Sequence, residues 1–442
     1  MLSKLGFSHV QVSPIQESNN ESPESKNIWW NAYQPLSYNI GGQYGTEEEF
    51  KELLAEAAGD GLKIIVDVVF NHLAPMYKYS EASAGANASM RVGDEWRDAW
   101  TNRPLLNAYL DQVIEKYKKI GFTQREHFRE PPKWGFGDGG KKFPTLNLDN
   151  TQVLSIQTAF LKKLADMGVA GFRFDAIGNF GNAWAHFNSY VKSIMRDTPG
   201  AFSYGEHASG DVASYTHFQA IGQNDDDCRT MDFVLYYQLG NAFPLGKSLR
   251  AIAIPTINGD AWGAVTFAEN HDTWAYRQIG ILHGGLPGWD GDEIDRLLAT
   301  AYLLIRKGGV PLVFNNTFNL KSTGDSTIIK DALSFRLAMR KANAPIENIE
   351  VINDDVVKIN RGVEGFAVIN KAAIPFDNFN FPYDDYDIAP RSLVVNVASK
   401  SVVIPARGVA FFYQKSIKKK KGAKRKVTQT EMTPGRALTD AK

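Results

Sequence analysis

What most restricts the fold of this chain is an alternation of short apolar runs with helical patterns, repeated along most of its length. Ser8 to Ser13 is a β-type run stopped by Pro14, and Leu2 to Gly6 before it reads as the last turn of a helix. Thr46-Glu47-Glu48-Glu49 is a capping box, with threonine at the N-cap and glutamate at N3, opening a helix that runs to about Asp60 with Gly61 closing it. Lys63 to Val69 is then almost uninterruptedly apolar, as a parallel strand buried on both faces must be. Val153, Ile156, Gln157, Phe160 and Leu164 share one helical face, and Gly168 ends that helix before a strand from Val169 to Asp175. A helix near Ala183 to Arg196 follows, then strands at Phe202 to Glu206, Arg229 to Phe233 and Ala264 to Phe267. A helix at Glu293 to Arg306 leads to a last strand within Gly308 to Phe314. A βα series of this length predicts an α/β fold of the (β/α)8 TIM type, in which polar groups at the C-terminal ends of the strands meet at one mouth.

The rhythm breaks twice. Between His72 and Phe143, Gly, Asn, Trp and charged residues mix irregularly around one helix at Leu105 to Ile120, which reads as an inserted subdomain. Beyond about Ala344 short β-type runs take over, at Val356 to Asn360, Gly365 to Asn370, Ser392 to Val397 and Ser401 to Ile404, as in a small antiparallel β-sandwich. The expected organisation is a first barrel part at 1–72, an inserted domain at 73–145, a second barrel part at 146–345 and a β domain at 346–415. Residues 416–442, with the Lys418 to Lys421 run, read as a solvated basic tail.

Four strand ends carry polar groups. In Gly171-Phe172-Arg173-Phe174-Asp175 the alternation puts Arg173 and Asp175 on one face, where the guanidinium would hold the carboxylate ionised. Asp67-Val68-Val69-Phe70-Asn71-His72, Tyr204-Gly205-Glu206 and Phe267-Ala268-Glu269-Asn270-His271-Asp272 end three other strands. Three carboxylates at one mouth, Asp175, Glu206 and Asp272, are expensive to keep together unless chemistry uses them. One ionised and one protonated carboxyl flanking a glycosidic bond suffice for retaining hydrolysis. Asp175 would be the nucleophile. Glu206, with no cationic neighbour in sequence, would keep a raised pKa and act as acid and then base. Asp272 would hold sugar hydroxyls, with His72 and His271 donating to the same sugar. Lys plus Arg equals Asp plus Glu at 49 each, so net charge offers nothing to a nucleic acid or an anionic membrane, and no apolar run is long enough to span a bilayer. Aromatic residues make up 12%, which suits stacking on sugar rings. Cys228 is the only cysteine, which excludes an intramolecular disulfide and a cysteine-based metal site.

Taken in order, these segments resemble the principal motifs of the α-amylase family of retaining glycoside hydrolases. Gly308 to Phe314 is similar to a fifth, and Trp29-Trp30-Asn31-Ala32-Tyr33-Gln34-Pro35 resembles the animal-type branch. The resemblance implies endo-acting cleavage of α-1,4-glucosidic bonds in starch, glycogen and maltooligosaccharides. It places Trp30, Tyr33 and Gln34 in donor-side subsites, with Tyr33 stacking on the reacting sugar. It implies calcium held by Asn71 and a backbone carbonyl at Asn179, with Thr145 at the usual acidic position and Asp138 or Asp149 as substitutes. For chloride, Arg173 and Asn270 match two ligands, whereas no basic residue stands near Asn316, so chloride is not expected. Gly178 and Asn179 replace a Lys-His pair common in the family, which would loosen acceptor-side binding. The family's first barrel strand finds no match, so an N-terminally truncated barrel of seven strands is expected, with open edges at Ser8 to Ser13 and Val310 to Phe314. Such a chain would fold poorly unless extended. Other readings stay open: an α-glucan transglycosylase or α-glucosidase, or an inactive carbohydrate-binding scaffold. The expected partner is an α-glucan bound by a monomer, and a full-length form with an upstream signal peptide would be secreted.

Overall fold

The computed structural model describes residues 2–18, 29–74, 103–130, 135–136, 141–221, 227–253, 263–274, 291–315, 326–344, 347–390 and 393–415. Seven short parallel strands follow one another in chain order: β1 (His9–Val12), β2 (Lys63–Val68), β3 (Gly171–Phe174), β4 (Tyr204–Gly205), β5 (Arg229–Thr230), β6 (Val265–Thr266) and β7 (Val310–Pro311). The first five form one sheet and the last two another, and a single parallel bridge from Met231 to Val265 joins them. Asp67 sits opposite Arg173, and Arg173 opposite Tyr204, so these three side chains share the inner face. Val66, Val68, Phe172 and Phe174 face outward and are fully buried under the helices. Phe174 alone meets Trp184 at 5.6 Å and Phe187 at 5.7 Å. Burying a side chain of this size contributes about 1.5–3 kcal/mol relative to exposure.

The helices begin where local chemistry starts them. In α1 (Glu47–Gly59) the Thr46 hydroxyl accepts from the Glu49 amide while the Glu49 carboxylate accepts from the Thr46 amide, the capping box expected from sequence. The α2 helix (Thr151–Asp166) is capped by Asn150 and buries Val153, Gln157, Phe160 and Leu164. The α3 (Ala183–Ile194), α4 (Phe233–Ala242), α5 (Glu293–Ile305) and α6 (Ser326–Lys341) helices complete the set that covers the sheet. Several strands are shorter than expected, and for the one at Arg229–Thr230 the cause is local. The run to Phe233 ends early because Asp232 turns the chain, its carboxylate accepting from the Leu235 amide at 2.9 Å, so Phe233 opens α4 instead. Between β1 and β2 a small antiparallel hairpin, Gln16–Ser18 with Pro35–Ile40, is tied to the sheet by the Gln16 amide. That side chain donates to the Val69 carbonyl at 3.1 Å and accepts from the Val69 amide at 3.0 Å.

Among the described residues β1 pairs with β2 alone and β7 with β6 alone. Between these two edges lies a cavity of about 640 Å³, lined by Phe7, His9 and Gln11 on one side and by Val310 and Leu312 on the other. Within the insertion, a helix at Arg103–Tyr117 and its continuation at Lys118–Ile120 agree with the expected one; much of the rest of 73–145 and the tail at 416–442 lie outside the described residues.

The C-terminal part holds two antiparallel sheets. One contains β8 (Asn348–Val351), β9 (Val356–Asn360), β10 (Gly365–Asn370), β12 (Tyr386–Ala389) and β15 (Gly408–Gln414). The other contains β11 (Phe376–Asn380), β13 (Val395–Asn396) and β14 (Ser401–Ile404). Phe366, Val368, Val402, Ile404 and Phe412 fill the space between them. Buried Lys371 clamps this unit to the segment after α4, donating to the Lys247 carbonyl and the Asp355 carboxylate at 2.7 Å each. Arg361 donates to the last carbonyl of α5, that of Ile305, at 2.9 Å.

Candidate active site

The C-terminal ends of β2, β3 and β4 converge on one buried cation. Arg173 is 1% exposed. Its Nη1 donates to Asp67 Oδ1 at 2.9 Å and to Asp175 Oδ1 at 2.7 Å, and its Nη2 lies 2.9 Å from Glu206 Oε2. The parity argument for Arg173 and Asp175 therefore holds in space. Glu206, with no cationic neighbour in sequence, gains one in space, because the β3–β4 register brings Arg173 across to it. After Asp175 the chain turns sharply, with Ala176 in the left-handed region at φ 52°. This costs a non-glycine residue about 1–2 kcal/mol. The turn aims the Ala176 amide at Glu206 Oε2, 3.3 Å away, and the Ile177 amide at the Glu206 carbonyl, 2.9 Å away. Gly205 is required beside it, since a Cβ there would stand 2.7 Å from two Ile177 side-chain carbons.

Asp67 was read from sequence only as the start of a motif, yet it is fully buried and holds the network together. Besides Arg173 it accepts from the Tyr33 hydroxyl at 2.7 Å and from Gln11 Nε2 at 3.3 Å, and the Gln11 amide oxygen accepts from the Tyr204 hydroxyl. The remaining acid, Asp272, follows β6 in a turn closed by Asn270 and Thr273. The Thr273 amide donates to Asn270 Oδ1 at 2.9 Å, and the Asn270 amide to the Thr273 hydroxyl at 3.0 Å.

Four carboxyl groups around one guanidinium cannot all ionise cheaply. Burial, reinforced by the Asp175 charge and opposed by Arg173, pushes the Asp67 carboxyl up to about 7. Burial likewise raises Glu206, again against the pull of Arg173, and a protonated Glu206 is placed to donate to Asp175. Asp272 is raised well above the ordinary range by burial and then by Glu206. The histidines add no charge at neutral pH, since burial lowers His72 to about 4 and His271 well below its ordinary value. Each raised acid binds a proton in the folded state that the unfolded chain has released. Through Asp67, stability therefore falls as pH rises from near 4 toward 7, and that contribution levels off above. Asp67→Asn should flatten that slope, as urea unfolding at pH 5 and pH 7.5 would show; an unchanged slope would place the proton elsewhere.

The aromatic wall differs in detail from expectation. Trp29 to Tyr33 form a short 3-10 turn in which Tyr33 stacks on His271, with ring centroids 5.2 Å apart and planes 11° apart, while Trp29 meets His271 edge-on at 5.3 Å. A sugar stacking on that face of Tyr33 would need His271 to swing away. The Trp30 side chain lies outside the described residues, and Gln34 is buried behind the turn. His72 is also buried, its Nε2 2.9 Å from the Tyr33 carbonyl and its ring against Phe143 at 4.8 Å, so here it fixes the wall. His271 stands at the mouth, with Nε2 3.4 Å from Asp272 Oδ2. Gly178 leaves room for His207. A Cβ on Gly178 would come within 2.7 Å of His207 Nδ1, and His207 Nε2 lies 2.9 Å from the Ser214 hydroxyl.

For calcium, Asn71 offers a buried Oδ1 with no protein partner. Thr145 lies across a bridge from His72, its hydroxyl donating to the Phe143 carbonyl at 3.2 Å. Asn179 ends the turn after Asp175, Asp149 is exposed, and Asp138 lies outside the described residues. Among the described residues no group of three or more His, Cys, Asp or Glu is placed to hold a metal, and Asn71 itself is a neutral oxygen donor. Arg173 Nε and Asn270 Nδ2 are buried donors without a protein partner and would suit an anion; the position near Asn316 is outside the described residues.

Residues 1–234 match the family description "Alpha amylase, catalytic domain". An α-amylase of Clostridium acetobutylicum is 26% identical over 94% of this chain and 51% of its own length. An α-amylase of Aeromonas hydrophila is 26% identical over 92% of this chain and 90% of its own. The chain thus spans about half of the first relative and most of the second. The solved structure of an α-amylase from Malbranchea cinnamomea superposes with a TM-score of 0.63 at 16% identity, over 94% of this chain and 87% of that one, a likeness of fold. Among the described residues no helix is long and apolar enough to cross a membrane.

Proposed function

The chain belongs to the α-amylase family, and on that premise we propose that it is an endo-acting, retaining hydrolase of α-1,4-glucosidic bonds in starch, glycogen and maltooligosaccharides. The observation that carries this reading is the single buried Arg173 touching both Asp175 and Glu206, with Glu206 raised by burial. Asp175, held by the guanidinium, attacks the anomeric carbon as the glycosidic bond breaks, and protonated Glu206 delivers its proton to the leaving oxygen. The Glu206 carboxylate so formed then removes a proton from water, which displaces Asp175 from the same carbon and restores the original anomer. Asp272 and His271 hold hydroxyls of the reacting ring. Tyr33 and His72 serve as the wall that keeps Asp67 and His271 in place. His207, seated over Gly178, takes the acceptor side.

Incubation with maltoheptaose tests this: new reducing ends should appear with internal cleavage. Saturable binding without turnover would favour the scaffold reading instead, and longer products would favour a transglycosylase.

We also propose that Asn71 contributes to a calcium site, with the Asn179 carbonyl as a second donor. Bound calcium would supply order at the junction of the insertion and β2, and no catalytic step needs it. Ligand charge sets calcium affinity. With a neutral donor set, calcium should raise the melting temperature only at roughly 0.1–1 mM, the range of weak sites. A rise saturating at micromolar calcium in a thermal-shift titration would require a carboxylate such as Asp138 in the site.

A further inference from the structure

We propose that His207 selects the acceptor-side sugar by offering one of its hydroxyls a ring lone pair, in a gap that Gly178 keeps open. The proposal deepens the active-site reading above and rests on it. Glu206 protonates the leaving oxygen, so the departing sugar lies on its side of the anomeric carbon, and His207 is the next residue in the chain. The turn after Asp175 runs along both residues. Its Ala176 amide meets Glu206 Oε2 at 3.3 Å, its Ile177 amide meets the Glu206 carbonyl at 2.9 Å, and Gly178 lies against the His207 ring.

The surroundings fix both the place and the protonation of that ring. It packs on Tyr215 and Phe218, with ring centroids 4.7 and 4.8 Å away. The His207 carbonyl accepts from the Tyr215 hydroxyl at 2.5 Å and from the Ser209 amide at 2.9 Å. The Ser214 hydroxyl has one hydrogen and gives it to the Asp211 carbonyl at 2.7 Å, so toward His207 Nε2, 2.9 Å away, it accepts. Nε2 therefore carries the proton and Nδ1 the lone pair. Burial lowers the His207 pKa against the pull of Glu206, which favours this neutral form. No described residue donates to Nδ1.

The gap in front of Nδ1 has the dimension of a hydrogen bond. A Cβ on Gly178 would stand 2.7 Å from Nδ1, 3.3 Å from Cε1 and 3.9 Å from Cγ, ahead of the nitrogen and not over the ring face. Hydrogen-bonded heavy atoms approach to about 2.7–3.0 Å. A hydroxyl oxygen thus fits where a methyl carbon would collide, and the lone pair calls for a donor, which a sugar hydroxyl supplies.

The leaving sugar and an added acceptor sugar use the same place, so transfer to an added sugar reads this contact. The whole chain is given maltotriosyl fluoride as donor with either maltose or methanol as acceptor, and the ratio of transfer product to hydrolysis product is measured by chromatography. In transfer the acceptor oxygen attacks the anomeric carbon as its proton passes to the Glu206 carboxylate, and the bond to Asp175 breaks with its electron pair returning to that carboxylate. Water takes the same course, so the ratio is independent of the donor step and of how much of a variant folds. Methanol has no second hydroxyl to reach Nδ1.

His207→Gln keeps a polar group toward Ser214 and loses the one at Nδ1, His207→Asn does the reverse, and Gly178→Ala fills the gap. His207→Gln and Gly178→Ala should lower the maltose ratio roughly three- to tenfold, the worth of one neutral hydrogen bond, with the methanol ratio unchanged. His207→Asn should stay near the unmodified ratio. Equal maltose ratios in all four proteins, or equal losses in His207→Asn and His207→Gln, would overturn the proposal. So would parallel changes with maltose and methanol, which would put the attacking water at Nδ1 in place of a sugar. No turnover of the fluoride by the unmodified chain would overturn the active-site reading together with this one.

Discussion

Asp175→Asn should lower kcat/KM toward maltoheptaose by at least about 10⁴-fold while leaving binding of the sugar within a few-fold, the pattern of losing a nucleophile whose surrounding binding groups stay. The substitution is nearly isosteric and removes the charge that Arg173 Nη1 meets at 2.7 Å. Arg173 keeps Asp67 and Glu206 as partners, so the fold should survive. Circular dichroism and a thermal melt check that, and steady-state kinetics reads the loss. A fall of less than tenfold would mean that the covalent step runs through another group. Glu206→Gln separates the roles further: its loss should be smaller for substrates with a good leaving group, which need no proton at departure.

Arg173→Met should be the most damaging single change to stability. The guanidinium is buried and is the counter-charge for Asp67, Asp175 and Glu206 at once. Removing one partner of a buried ion cluster leaves the others desolvated and unpaired, worth about 3–5 kcal/mol. The sign with pH follows from the same groups. Without Arg173 the folded carboxyls hold their protons still more tightly than the unfolded ones, so the deficit should be largest near pH 8 and shrink toward pH 5. Urea unfolding at the two pH values measures it. Arg173→Lys should recover only part, because an ammonium cannot present the fork that reaches three carboxylates. A deficit under about 1 kcal/mol would show that water reaches the cluster, as it does for exposed pairs.

The strands and their parity were readable because these parallel strands are short, apolar and followed by helices with local caps. Thr46 with Glu49 is such a signal, complete within four residues. The shared inner face of Arg173 and Asp175 was likewise local. What escaped needed two strands at once. Glu206 has no cation near it in sequence, and only the pairing of Arg173 with Tyr204 delivers one. Gln11, Asp67 and Tyr204 stand on three different strands, without a spacing rule to connect them. An acid one residue from the end of β2, with the parity of Arg173 on the next strand, was the one hint of Asp67. The stack of Tyr33 on His271 joins residues 238 positions apart in the numbering and left no trace in either segment. In the C-terminal unit, Val356–Asn360 and Gly365–Asn370 were legible from their β-branched runs. Phe376–Asn380 and Tyr386–Ala389 were not, since Asn, Asp and Pro give that stretch the texture of a loop.

The most direct measurement is the anomeric form of the first product, followed by proton NMR from the earliest seconds of maltoheptaose hydrolysis, before mutarotation mixes the signals. If Asp175 forms a glycosyl intermediate and Glu206 then activates water on the same face, the new reducing end appears first as the α-anomer. A β-anomer appearing first would contradict a double displacement and with it the roles given to both carboxyls.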